Sequence, residues 1–266
     1  SRRIRSRHGT CEQNVRTAIR TCGLSPPNKI TTYMAGQGLP NKKRKETAKM
    51  ALYRESVTKV PSNPFPNSQT AVIIMNGESR QGFDLEKLRN KDLAIFGCNA
   101  IYRTFPVDYL VAVDVNMARE INDSGYAHKH EFWSYPRAKV QSPPAIKFPT
   151  DWGWSTGPTT VRLAIMKGFK NIYILGMDFT SPNKKINNIF KGTKNYRAPT
   201  HDPIFTGNWE NQMRHNAHDV GPDCQFFRVG SKEVFNLDLP PKLHNLPNLR
   251  DMSYAEFESH INKLSK

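Results

Sequence analysis

Two stretches decide the fold: Ala71-Val72-Ile73-Ile74-Met75-Asn76-Gly77 and Asn171-Ile172-Tyr173-Ile174-Leu175-Gly176-Met177-Asp178. Each is a short, unbroken apolar run that stops at small or polar residues. A strand buried on one face alternates apolar and polar side chains; an unbroken run of this length suits a strand covered on both faces, as in a parallel sheet. Leu93-Ala94-Ile95-Phe96-Gly97-Cys98-Asn99 and Tyr109-Leu110-Val111-Ala112-Val113-Asp114 repeat the pattern. Glu131 to Tyr135 is a fourth, weaker run, and Cys224 to Val229 reads as a later strand. Between them, Thr159 to Lys167 reads as a helix with Gly168 as its stop, and Asn208 to His218 and Tyr254 to Leu264 as further helices. Residues 180 to 205 read as a long polar loop. Strands alternating with helices imply βαβ units joined by right-handed crossovers. The expected fold is therefore α/β, a Rossmann-like, mostly parallel sheet over residues 71 to 266.

The chain ahead of this region is different. Of 39 Lys and Arg in the 266 residues, 14 fall in residues 1 to 60 against 3 Glu, so most of the net charge of +16 sits there. Helices are expected at Glu12 to Thr21 and at Glu46 to Val57. The proline-broken stretch Val60 to Ser68 marks a boundary, giving a basic N-terminal arm over 1 to 60 and a linker over 61 to 70. Arg2, Arg3, Arg5 and Arg7 form one basic cluster; Lys42, Lys43, Arg44 and Lys45 form another. Such clusters suit nucleic-acid phosphates with counterion release. They equally suit an acidic protein surface, neighbouring subunits of a homo-oligomer or large complex, or a solvated arm. Only Tyr33 and Tyr53 are interleaved, so base stacking is not indicated.

No run of about eighteen apolar residues predicts a membrane span, and no apolar signal region follows the charged start. The sequence reads as that of a cytoplasmic protein, or of a component of a virion or other nucleoprotein particle. Cys11, Cys22, Cys98 and Cys224 lack C-x-x-C spacing. Buried thiols are expected rather than a zinc site or a disulfide framework.

Chemistry is expected at the strand ends. In open parallel sheets, ligands bind outside the carboxyl ends of the strands. Asn76 and Gly77, Asn99, Asp114 and Asp178 all stand at such ends, where amides and carboxylates can bind ribose hydroxyls and base edges. The plainer reading is that Asn and Gly terminate strands because they turn easily. In Trp152-Gly153-Trp154-Ser155-Thr156-Gly157-Pro158, Ser155 or Thr156 can cap a helix and Pro158 fits its first turn. That helix start is either an ordinary cap or a phosphate site made of free backbone N–H groups.

The spaced segments VIIMNGES (72–79), FDLEKL (83–88), LAIFGCNAIYR (93–103), DYLVAVD (108–114) and STGPTTVRLAIMKGFKNIYILGMDF (155–179) resemble the bacterial sialyltransferases of the Campylobacter lipooligosaccharide type and the related motility-accessory-type glycosyltransferases. The resemblance covers roughly residues 71 to 180. It implies a sialyltransferase-like domain that uses a cytidine-monophosphate-linked sugar and requires no metal or other cofactor. It further implies nucleotide contacts from Asn76, Gly77, Asn99 and Asp114, phosphate and sugar contacts from Ser155, Thr156 and Gly157, and a place beside the site for Asp178.

The chain also departs from that pattern. Gly153 stands where the family has an Arg, and Thr180 where it has a Tyr. Phe205-Thr206-Gly207-Asn208 replaces a Tyr-x-Gly-His element that carries the general base. An Asn amide cannot take a proton at neutral pH. His215 or His201 is the expected substitute, with His218 nearby. Two functions follow: a metal-independent glycosyltransferase, or a catalytically inactive structural or assembly protein whose arm binds nucleic acid or neighbouring subunits.

Overall fold

The computed structural model describes residues 68–181 and 184–264. The helices expected before residue 60, most of the linker, and both basic clusters lie outside the described residues. So do Cys11 and Cys22.

The described residues form an eight-stranded sheet. In chain order its strands are β1 (Thr70–Ile74), β2 (Ala94–Cys98), β3 (Tyr109–Val111), β4 (Glu131–Ser134), β5 (Ile146–Lys147), β6 (Asn171–Leu175), β7 (Gln225–Val229) and β8 (Leu249–Met252). The helices are α1 (Val115–Asp123), α2 (Thr156–Met166), α3 (Gly207–Val220), α4 (Ser231–Phe235) and α5 (Tyr254–Ile261). Every pairing is parallel. The spatial order is β5-β4-β3-β2-β1-β6-β7-β8. The chain starts at the centre, steps outward to β5, then returns across β1 to build β6, β7 and β8 on the other side. Neighbouring strands β1 and β6 thus lead their following segments in opposite directions, which opens a crevice at their carboxyl ends.

Both faces of the sheet are covered, which accounts for the unbroken apolar runs. Side chains alternate between faces. Ala71, Ile73, Phe96, Ile172 and Ile174 join one buried layer. Val72, Ile74, Leu110, Tyr173 and Leu175 join the other. Helix α2 packs on β1, β2 and β3 and against α3. Buried positions therefore run nearly all round it, from Thr156 to Met166.

Within the described residues, the expected strands and helices are present, with ends shifted by a few residues. Four elements were not anticipated. β5 is two residues long, and β8 lies at a sheet edge with Arg250 exposed, so neither carries a long apolar run. Helix α1 did carry a helical signal, with Met117 and Ile121 buried four residues apart. The fourth is the short α4. Cys98 and Cys224 are buried free thiols, as expected. Among the described residues, no helix is long and apolar enough to cross a membrane.

The second half of the sheet holds a buried ion pair. Arg228 on β7 and Asp251 on β8 are register neighbours. The Arg228 side chain is only 1% exposed; its Nε donates to Asp251 Oδ1 at 2.5 Å and its Nη2 to the Leu237 carbonyl at 2.8 Å. Removing one partner of such a pair strands a buried charge. Asp251→Ala should therefore lower stability by about 3 to 5 kcal/mol in urea denaturation. A loss below about 1 kcal/mol would show that Arg228 reaches water without Asp251.

Candidate functional site

At the carboxyl end of β1 the chain runs beside the end of β6 at close range. Met75 N–H donates to Leu175 O at 2.9 Å and Gly77 N–H to Gly176 O at 3.1 Å. A Cβ on residue 77 would stand 2.5 Å from Gly176 O and inside contact distance of the Asp178 carboxylate. Gly176 itself has φ +73°. Here the glycines are needed for close approach, and not only as strand terminators.

Asp178, just past β6, binds three segments together. Its carboxylate accepts from Ser79 N–H at 3.1 Å and from the Ser79 hydroxyl, from Ser231 Oγ at 2.7 Å, and from Asn187 Nδ2 at 2.9 Å. Asp178 therefore lines the crevice with its oxygens already engaged, and its position there is that of a clamp.

Asn76 is 8% exposed. Its Nδ2 donates to the Cys98 carbonyl at 3.3 Å and to Tyr196 Oη at 3.2 Å. A backbone carbonyl can only accept, so it fixes which end of the amide faces it. Asn76 Oδ1 is then left buried with no donor among the described residues. Such an oxygen costs about 1 to 3 kcal/mol until something donates to it.

Asn99 has φ +53° and opens the turn after β2. Its Oδ1 accepts from Thr156 Oγ1 at 3.1 Å, and Thr156 Oγ1 accepts from Val113 N–H at 3.4 Å. One hydroxyl thus holds the start of α2 against the ends of β2 and β3. Ser155 is the residue before α2, but its side chain caps nothing. Instead its hydroxyl accepts from Trp209 Nε1 at 2.9 Å, and its N–H donates to Gln212 Oε1 at 3.1 Å, both on α3. The expected side-chain cap is replaced by a tie to α3. The first-turn amides of Thr156 and Gly157 have no acceptor within the helix. Asp114 is exposed at the end of β3 and makes no side-chain cap for α1.

These residues meet in one place. Asn76, Gly77, Asn99, Asp114, Ser155, Thr156, Gly157 and Asp178 all line a single cavity of about 440 Å³. The sequence reading did not foresee the far wall, which comes from the segment between β6 and α3: Asn187, Asn188, Asn195, Tyr196 and Arg197, followed by Trp209. Length was the available signal, since ordered loops of this size are usually functional. The segment is tied down. Lys191 pairs with Glu78, Arg103 donates to Thr193 Oγ1 and to Lys194 O, both at 2.9 Å, and Asn195 Nδ2 donates to Glu120 Oε2 at 2.6 Å. Tyr196 Oη accepts from Asn76 and, at 3.4 Å, from Ala100 N–H. Burial pushes its phenol above the ordinary value, so it stays protonated.

The two histidines expected to supply a base are elsewhere. His201 and His215 are exposed and outside the cavity lining, and His215 stacks on Trp154 with ring centroids 6.1 Å apart. Asn208 is likewise exposed and outside the lining.

Asp178→Ala should lower stability by about 3 kcal/mol or more, because Ser79, Ser231 and Asn187 all lose their acceptor. Chemical denaturation would measure this. Unchanged stability would refute the clamp.

No family profile matches the chain, and no curated protein matches it. Among solved structures it is similar to the sialyltransferase CstII from Campylobacter jejuni in complex with cytidine-5'-monophosphate, at 15% identity and a TM-score of 0.41 over 73% of this chain and 98% of that one. It is also similar to an alpha-2,3-sialyltransferase from Campylobacter jejuni in apo form, at 14% identity and a TM-score of 0.40 over 74% of this chain and 94% of that one.

Proposed function

We propose that the cavity binds a nucleotide or nucleotide-sugar and that the domain is glycosyltransferase-like, with a cytidine-monophosphate-linked sugar as its ligand. The observation that carries the reading is the Asn76 amide. It is held by the Cys98 carbonyl with Oδ1 lacking a donor, at the point where the strand order reverses. Oδ1 is covered within the wall, and a ligand hydroxyl or amine that reaches it on binding would satisfy it. The first-turn amides of Thr156 and Gly157, at the positive end of the α2 dipole, suit a phosphate. Tyr196, whose oxygen already accepts two hydrogen bonds, has its own proton to donate. Asp114, at the exposed edge of the cavity, suits ribose hydroxyls. The resemblance of the motifs at 72–79, 93–103 and 155–179 to those of the bacterial sialyltransferases implies cytidine monophosphate as the nucleotide.

The reading is one of ligand binding. Sugar transfer further requires a group that takes the acceptor's proton, and neither His201 nor His215 stands in the cavity wall.

Thermal melting with a panel of nucleotides and nucleotide-sugars tests the reading. A cytidine nucleotide at about one hundred times its Kd should stabilise the protein by about 2.7 kcal/mol. Asn76→Ala should remove most of that stabilisation. If no nucleotide shifts the melting temperature, the reading fails. Release of free sugar from the donor, followed in the same samples, would separate a transferase from a binding domain.

A further inference from the structure

Four cationic side chains of the described residues are more than nine-tenths buried: Arg80, Arg162, Lys167 and Arg228. Three have a carboxylate. Arg162 pairs with Asp219 at 2.8 Å, Lys167 with Glu131 at 3.0 Å and Arg228 with Asp251 at 2.5 Å. Arg80 has none. It is 6% exposed, its Nε is buried without a hydrogen-bond partner, and its guanidinium makes no ion pair among the described residues. Its one ring contact is with Phe190, 6.0 Å to the centroid.

The titratable groups that act on Arg80 are Cys98, Tyr196 and Tyr254, and all are neutral near pH 7. Burial pushes Cys98 and Tyr254 up to about 12 and Tyr196 higher still. Burial lowers Arg80 itself only to about 10, so it stays charged. Taking an uncompensated charge out of water is costly, and proteins seldom leave one so.

The surroundings say where the missing anion belongs. Cys98 and Tyr196 both line the cavity. Phe190, under the Arg80 guanidinium, packs against Tyr196 with ring centroids 5.8 Å apart. Arg80 therefore stands behind the part of the cavity wall made by Cys98 and Tyr196, which are neutral and do not cancel its field, while the carboxylates of Asp114 and Asp178 line the cavity elsewhere. Low-dielectric walls focus such a field into a cleft.

We propose that Arg80 is the electrostatic determinant that makes this cavity select a ligand with an anionic phosphate over its neutral counterpart. The inference rests on the nucleotide reading of the cavity and adds to it a residue that acts from behind the wall. Arg80 is not a catalytic residue in this account. It positions charge.

Calorimetric titration of the full chain with cytidine, cytidine monophosphate and inorganic pyrophosphate tests this, using the wild type, Arg80→Met and Arg80→Lys. The wild type should prefer cytidine monophosphate to cytidine. Arg80→Met should weaken the monophosphate by about tenfold or more while leaving cytidine unchanged, and Arg80→Lys should keep most of the preference. Without ligand, Arg80→Met should melt no lower than the wild type, because it removes an unpaired buried charge. A much lower melting temperature would mark Arg80 as a structural brace and overturn the proposal. An unchanged preference in Arg80→Met would also overturn it and leave the nucleotide reading standing. If neither cytidine nor its monophosphate binds the wild type, the nucleotide reading falls and pyrophosphate decides the rest. Pyrophosphate binding that Arg80→Met weakens about tenfold supports the role of Arg80. Pyrophosphate binding that is absent, or equal in the two proteins, overturns it.

Discussion

Asp178 ends the central strand pair with a carboxylate that is 7% exposed and surrounded by donors from three other segments. Through Ser79 it holds the turn that follows β1, through Ser231 the start of α4, and through Asn187 the long segment between β6 and α3. The segments after β1 and β6 leave on opposite sides of the point where the strand order reverses, and the third follows β7. Without a common anchor, nothing in the strand pairing would fix how they meet above the sheet. The anchor works only if the two strand ends come close, which is why residue 77 has no Cβ. The cavity is the space left between segments that this one carboxylate gathers.

Much of this was legible from the residues, for a physical reason. A strand buried on both faces must be apolar at every position, so β1, β2, β3 and β6 declare themselves by composition alone. The same runs must end where backbone or ligand needs polar partners, so Asn76, Asn99, Asp114 and Asp178 stood out before their positions were known. What stayed hidden depends on contacts distant in sequence. Edge strands β5 and β8 are short and partly polar because solvent covers one side. The clamp role of Asp178 was hidden because its donors, Ser79, Ser231 and Asn187, lie 99, 53 and 9 residues away. Ser155 looked like a helix cap because Trp209 and Gln212, which claim its polar groups, lie more than fifty residues further on.

The histidines show the converse limit. Sequence can show that the chain contains titratable imidazoles near a motif, but not which face of a helix they take. His215 lies on α3, and the cavity-facing positions of that helix are taken by Trp209 and Met213. Residues 209 and 213 are four apart and share a face, whereas 215 is two further on and points away. The turn of an α-helix thus keeps His215 out of the cavity lining, whatever the motif beside it suggests.

The walls of the cavity are fixed before any ligand arrives. Tyr196 sits on a segment without regular secondary structure, yet it is held on both sides of its own position. Asn195 is bound to Glu120, and Glu120 also accepts from Tyr102 at 2.7 Å and from Arg103 Nε at 2.8 Å. Tyr196 in turn receives the Asn76 amide, whose other contact is the backbone of β2. A chain of polar contacts therefore runs from α1 through the loop to the floor of the cavity and sets the direction of Asn76 Oδ1. Ordering a side chain on binding costs about 0.5 to 1.5 kcal/mol for each one immobilised. Here the Asn76 and Tyr196 side chains are already held by the chain's own contacts, so a ligand that binds beside them meets ordered groups. A loop that is long and polar in sequence can thus form part of a rigid site once charged side chains from neighbouring elements anchor it.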